Sequence, residues 1–225
     1  GDSITRGHFG IGYREYLNFP VTTKGWDGAT LKQIISFSNH HLKKVEQECT
    51  IIFQGGANDV LYSYLSTQSN GWSEYVHSKK ENTHPSFSHW KEEIIKKIDT
   101  LQHKHPTFSY HLCNVAIEAA FAREELLIIT EQYNEIIENI ADELALKVID
   151  LFSTYKNYLH GKQVNNYMPE DSESIEKDAL FIAGSELRGE KLSNSRSLYL
   201  TTDGIHPNKE GALCIAKAIN SSSFI

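Results

Sequence analysis

Two hydrophobic periods alternate along this chain, and that alternation limits its possible folds more than any other feature. Short β-branched or aromatic runs occupy 50–54 (TIIFQ), 108–115 (FSYHLCNV) and 146–152 (LKVIDLF). The first ends in Gly55-Gly56 and reads as a buried strand. Between the runs, apolar residues fall three or four apart, as on the buried face of a helix. They are Leu31, Ile34, Ile35, Leu42 and Val45, then Trp90, Ile94, Ile95, Ile98 and Leu101, then Tyr133, Ile136, Ile137, Ile140 and Leu144. A last stripe, Leu213, Ile215, Ala216 and Ile219, follows Asn208. Strands that alternate with helices build an α/β parallel sheet covered on both faces. Ligands of such sheets bind beyond the carboxyl ends of the strands.

The remaining stretches read differently. Residues 1–17 are glycine-rich and lead into a short helix, and 18–24 (NFPVTTK) leans toward strand. Residues 62–86 are polar and aromatic, with Asn70-Gly71 and His84-Pro85 as turn signals, and read as a long loop or lid. Residues 161–199 read as an insertion with one helix around 174–185. A length of 225 residues fits one domain, 1–225.

Composition excludes several function classes. A hydrophobic fraction of 40% supports a core and excludes general disorder. The net charge of −7 argues against nucleic acid as a partner, which needs clustered Lys and Arg. No run approaches the ~20 apolar residues of a membrane-spanning helix. Cys49, Cys113 and Cys214 are odd in number and far apart, and read as buried free thiols. No dinucleotide, P-loop, H-E-x-x-H or G-x-S-x-G motif is present. His103 and His105 lie in a Lys/Pro-rich turn and read as solvated surface, so no metal is expected. Asn220-Ser221-Ser222 is a glycosylation sequon, relevant only to a secreted protein; the compartment reading leans slightly to the cytoplasm.

Four short stretches carry candidate chemistry: Gly1-Asp2-Ser3-Ile4-Thr5, Gly25-Trp26-Asp27-Gly28-Ala29-Thr30, Gly56-Ala57-Asn58-Asp59 and Asp203-Gly204-Ile205-His206-Pro207. A serine hydroxyl needs an adjacent base to act as a nucleophile. His206 titrates near neutral pH and is the candidate base. Asp203, three residues earlier, has the chemistry to hold the imidazole in one tautomer. Taken alone, Asp203 and His206 would serve equally well to shape a turn, Ser3 to cap a helix, and Gly28 and Asn58 to form turns.

Together and in this order, the four stretches resemble the four blocks of the SGNH (GDSL-type) serine hydrolases, over nearly the whole chain. The resemblance implies a three-layer α/β/α sandwich with a flavodoxin-like parallel sheet. It implies a cofactor-free serine esterase that cleaves carboxylic esters through an acyl-enzyme; the lack of any long apolar stretch favours short acyl or acetyl groups. Ser3, His206 and Asp203 would form the catalytic triad. The N–H groups of Ser3 and Gly28 and the side-chain amide of Asn58 would form the oxyanion hole. Asp2 and Asp59 would tie loops through backbone N–H groups, and Thr5 and Thr30 would pack or cap. Trp26 and Trp72 are candidates to line the acyl or alcohol pocket of a small-molecule, glycan or lipid ester, whereas Trp90 lies on a helical stripe and reads as core. The alternatives are an acyltransferase with the same site and a non-catalytic binding module. In the family a central strand precedes the nucleophile, so a further 5–10 residues of apolar strand, roughly a usual strand length, are expected before Gly1.

Overall fold

The computed structural model describes residues 1–45, 47–67, 72, 76, 87–183 and 185–222, the side chains of 87–89 excepted. Its helices are α1 (Ser3–Arg6), α2 (Leu31–Leu42), α3 (Ala57–Leu65), α4 (Phe87–Lys104), α5 (Glu124–Glu143), α6 (Leu151–Leu159), α7 (Ser172–Ile182), α8 (Glu186–Ser195) and α9 (Lys209–Ser221). The strands are β1 (Thr50–Phe53), β2 (Ser109–Cys113) and β3 (Lys147–Ile149). Short 3-10 turns occupy Tyr13–Tyr16 and Glu118–Ala122.

The strands pair in parallel in the order β1-β2-β3, with Ile52 opposite His111 and Leu112 opposite Val148. The helices fall into two packed groups. One runs α2 on α4, α4 on α5 and α5 on α3; in the other, α9 packs on α6, on α8 and on the turn Tyr13–Tyr16. This is an α/β fold with a central parallel sheet flanked by helices. The striped positions form its interior. Ile34, Ile35, Ile94, Ile98, Ile137 and Ile140 are all essentially inaccessible to water, as is Leu112 in the middle of β2. Burying one such side chain contributes roughly 1.5–3 kcal/mol, which is why the stripes predict the helices so well.

Local chemistry moves several boundaries. The run 146–152 is strand only as far as Ile149, because the Asp150 carboxylate accepts the Ser153 N–H at 2.9 Å and starts α6 at Leu151. Residues 18–24 form no strand; they join no ladder with β1, and β propensity alone does not make a strand. α3 extends through Leu65, so the first four residues of the expected 62–86 loop are helical. The rest of that expectation, apart from 66, 67, Trp72 and Val76, lies outside the described residues. The insertion at 161–199 holds two helices instead of one, capped by Asp171, which accepts the Ser174 N–H, and by Ser185, which accepts the Arg188 N–H. α2 stops at Leu42, leaving Val45 outside it and exposed. Of the three free thiols only Cys113 is buried; Cys49 and Cys214 are half-buried.

Candidate active site

The first turn of the chain is held from both sides. The Asp2 carboxylate accepts the Ile4 N–H at 3.0 Å and caps α1. Gly7 ends the helix at φ 68, a left-handed conformation in which a side chain would be strained. The Thr5 hydroxyl bonds Tyr13 Oη at 3.0 Å and the Gln54 side chain, just beyond β1. Ser3 is thereby fixed beside the carboxyl end of the sheet, almost fully buried.

Residues 199–208 supply the other half. Thr202 N–H donates to the His206 carbonyl at 2.9 Å, and Asn208 N–H to the Leu200 carbonyl at 2.9 Å, closing a tight loop. At its tip, Asp203 Oδ1 accepts the N–H groups of Ile205 (2.9 Å) and His206 (2.7 Å). Gly204 takes φ +89, and a Cβ there would collide with the Tyr167 carbonyl. Asp203 Oδ2 lies 2.7 Å from His206 Nδ1, and His206 Nε2 lies 3.1 Å from Ser3 Oγ. Ser3, His206 and Asp203 thus form one buried chain of hydrogen bonds, although 203 positions separate its first two members.

The electrostatics follow from burial and proximity. Burial opposes charge on His206, but the Asp203 carboxylate outweighs it, helped by Asp2 and Asp27, and holds the imidazole above its ordinary pKa. Burial pushes the Asp203 carboxyl up, yet the His206 ring and the two backbone N–H groups hold it below its ordinary value. Asp2 is fully buried, which raises its carboxyl.

Gly28 and Asn58 come to the same place. Gly28 takes φ +70, and its carbonyl accepts the Tyr62 hydroxyl at 2.9 Å, which fixes that peptide. Next to it, Thr30 and Gln33 form a reciprocal capping box at the start of α2. Asn58, in the first turn of α3, donates one amide hydrogen to the Ala29 carbonyl at 3.0 Å. An amide carries two donors, and this bond uses one of them. Asp59 accepts the Leu31 N–H at 2.9 Å and ties α3 to α2.

A cleft of about 80 Å3 opens beside Ser3, His206, Gly28 and Asn58. Its walls are largely apolar: Phe9, Leu61, Leu65, Trp72, Ile175 and Ile205, with Ser172 and Glu176 as polar members. The Trp72 indole N–H donates to the Pro169 carbonyl at 2.9 Å. Trp26 lies elsewhere, its ring packed against Phe37 and His41, so proximity in sequence to Gly28 does not bring it into the cleft.

Sequence reasoning passed over three participants. Phe9 packs on the His206 ring at 5.2 Å. Arg196 makes a two-pronged ion pair with Asp178 of α7 and also donates to the Thr202 carbonyl at 2.7 Å. Glu118 is wholly buried beneath 199–204. Only Glu118 gave a local signal, a lone acid inside the apolar run NVAIEAA.

The sequence profile of the GDSL-like lipase/acylhydrolase family matches residues 1–219. The chain belongs to that family. It is a carboxylic ester hydrolase of the SGNH/GDSL type. Solved structures share the fold at low identity. A lipolytic G-D-S-L protein from Veillonella parvula is 18% identical, with TM-score 0.58, covering 100% of this chain and 96% of its own. An α/β hydrolase, LAE5, from the metagenome of Lake Arreo is 19% identical, with TM-score 0.59 and coverage of 97% and 90%. Axe2, an acetylxylan esterase from Geobacillus stearothermophilus, is 15% identical, with TM-score 0.58 and coverage of 100% and 93%. No curated protein sequence matches significantly.

Proposed function

We propose that this GDSL-type hydrolase cleaves esters of short acyl groups, with Ser3 as nucleophile, His206 as general base and acid, and Asp203 as the group that orients the imidazole. The observation that carries the reading is the unbroken chain Ser3 Oγ–His206 Nε2 at 3.1 Å and His206 Nδ1–Asp203 at 2.7 Å. Attack of Ser3 Oγ on the ester carbonyl passes the hydroxyl proton to Nε2. The tetrahedral oxyanion takes hydrogen bonds from the N–H of Ser3, the N–H of Gly28 and the second amide hydrogen of Asn58. His206 then protonates the departing alkoxide, leaving an acyl-Ser3 ester. Water attacks that ester with His206 again taking the proton, and the carboxylic acid departs as Ser3 is restored.

The cleft, by its size, supports a small acyl group. Its volume of about 80 Å3 is roughly half that of a ~150 Å3 cavity that admits benzene, so a chain of a few carbons fits against Leu61, Leu65 and Ile175. Trp72 stays a candidate wall residue; Trp26 does not. The fold neighbour named as an acetylxylan esterase agrees with a small acyl group. Mutants of that esterase described as catalytic replace a serine and a histidine by alanine.

A fluorophosphonate probe tests the assignment. Covalent labelling of the wild type and none of Ser3→Ala, with equal folding by circular dichroism, is the expected result. Labelling of Ser3→Ala at the wild-type rate overturns it.

A further inference from the structure

Glu118 is a carboxylate with no exposed surface and no place in the reaction as written. Burying such a group demands full compensation by donors. Its Oε1 accepts the Tyr199 N–H at 2.6 Å. Its Oε2 accepts the Leu200 N–H at 2.9 Å and the Thr201 hydroxyl at 2.6 Å. Thr201 Oγ1 in turn accepts the Gly204 N–H at 3.0 Å, and the next residue along, Ala119, donates its N–H to the Gly204 carbonyl at 3.0 Å. All these contacts converge on the loop that ends in Asp203 and His206, and none faces a ligand in the cleft.

We propose that Glu118 is a positioning residue for the triad: it clamps 199–204 from beneath and so keeps Asp203 against the His206 ring. The proposal rests on the triad reading above. A carboxylate is the group that fits. Both of its oxygens accept, and the three donors reach it from two successive backbone positions and a hydroxyl. Glutamine keeps the shape but turns an NH2 toward the Tyr199 or the Leu200 N–H, whichever way the amide is placed. Losing a hydrogen bond to a charged acceptor here loosens the loop and costs about ten- to a hundredfold in the positioned state.

His206 is faced by Asp203 at bonding distance, by the charges of Asp2 and Asp27, and by the Phe9 ring, while Arg196 acts on Asp203 from the far side. When the clamp fails, the Asp203–His206 contact is the one that lengthens. The imidazole then returns toward its ordinary pKa, and the acid limb of kcat/KM moves to lower pH.

The full chain is assayed as wild type, Glu118→Gln, Thr201→Val and Ser3→Ala on p-nitrophenyl acetate, from about pH 5 to 9. Glu118→Gln is expected to lower kcat about ten- to a hundredfold, leave KM within about twofold, and move the acid limb down. Thr201→Val, which removes both the donor to Glu118 and the acceptor of the Gly204 N–H, is expected to move both quantities the same way. A folded Glu118→Gln with wild-type kcat, or one whose kcat falls while the limb stays in place, overturns the proposal. If Glu118→Gln is not recovered folded, Thr201→Val decides, and an unmoved limb in it overturns the proposal. Activity surviving in Ser3→Ala defeats the triad reading instead, so the two failures are distinct.

Discussion

Residues 199–208 and helix α7 both border the cleft, and they hold their places by different means. In the loop, Asp203, Thr201, Thr202 and Asn208 are buried, and each takes part in hydrogen bonds. α7 contributes Ile175 and Glu176 to the cleft, and its main tie to the loop is the Asp178–Arg196 pair. Its outer end leaves Leu180 at 77% exposure, and Leu187 on α8 at 75%. Polar saturation fixes an atom to within a fraction of an ångström, which proton transfer requires. Apolar contact sets a volume and tolerates substitution. On the proposed assignment, chemistry sits on the first wall and acyl selectivity on the second.

The largest effects break the saturated wall. Asp203→Asn preserves shape but presents a donor to His206 Nδ1 and favours the wrong tautomer. It is expected to lower kcat by about 10^3–10^4 with KM little changed, read by steady-state kinetics on p-nitrophenyl acetate. The same contact sets the pH response. His206 acts as base only when neutral, and its pKa is raised, so the acid limb of wild-type kcat/KM is expected above the ordinary 6.5. A limb at or below that value breaks the electrostatic account. For stability the signs are opposite. The depressed pKa of Asp203 contributes above its ordinary 3.8 and is lost as pH falls through the lowered value. The raised pKa of His206 contributes fully below 6.5 and is lost as pH rises through the raised value.

Asn58→Ala ranks next. Removing one oxyanion donor is expected to cost about 10^2–10^3 in kcat, with phosphonylation of Ser3 by a fluorophosphonate probe still detectable. Arg196→Met cuts the tie between the two walls. It leaves Asp178 and the Thr202 carbonyl without their cation, and about 2–4 kcal/mol of stability is expected to be lost in urea unfolding. The smallest effect belongs to the apolar wall. Ile175→Ala enlarges the cleft, and each extra methylene of acyl chain that it admits is worth about fourfold in kcat/KM. The ratio of butyrate to acetate hydrolysis is expected to rise by that order, and an unchanged ratio would assign selectivity to the opposite face, Leu61 and Leu65.

The sequence carried most of the first wall and little of the second. Gly-Asp-Ser, Gly28, Asn58-Asp59 and Asp203–His206 are legible because each is a short motif whose geometry is local: a cap, a left-handed glycine, a turn. The strand 50–53 and the helical stripes are legible because burial imposes a period. Glu118 stands out locally only as a lone acid in an apolar run, and its role is not legible because its donors lie 81 to 83 positions downstream. Arg196 and Asp178 meet only because α7 and α8 fold back on each other, a return of the chain that no local pattern in 161–199 encodes. Trp26 misled for the converse reason. Its neighbour Gly28 borders the cleft, but its own ring turns to α2.

Ser3 and His206 stand 203 positions apart in the chain. On the proposed assignment, competence therefore waits until residue 206 has been made and folded back onto Ser3. A nascent chain whose residue 206 is still inside the ribosomal tunnel would hold Ser3 without that imidazole, and a protease nick that releases α9 together with its approach loop would part the two without touching Ser3. On that assignment, turnover reports that the two distant segments have come together, which makes hydrolysis itself a simple assay for an intact fold.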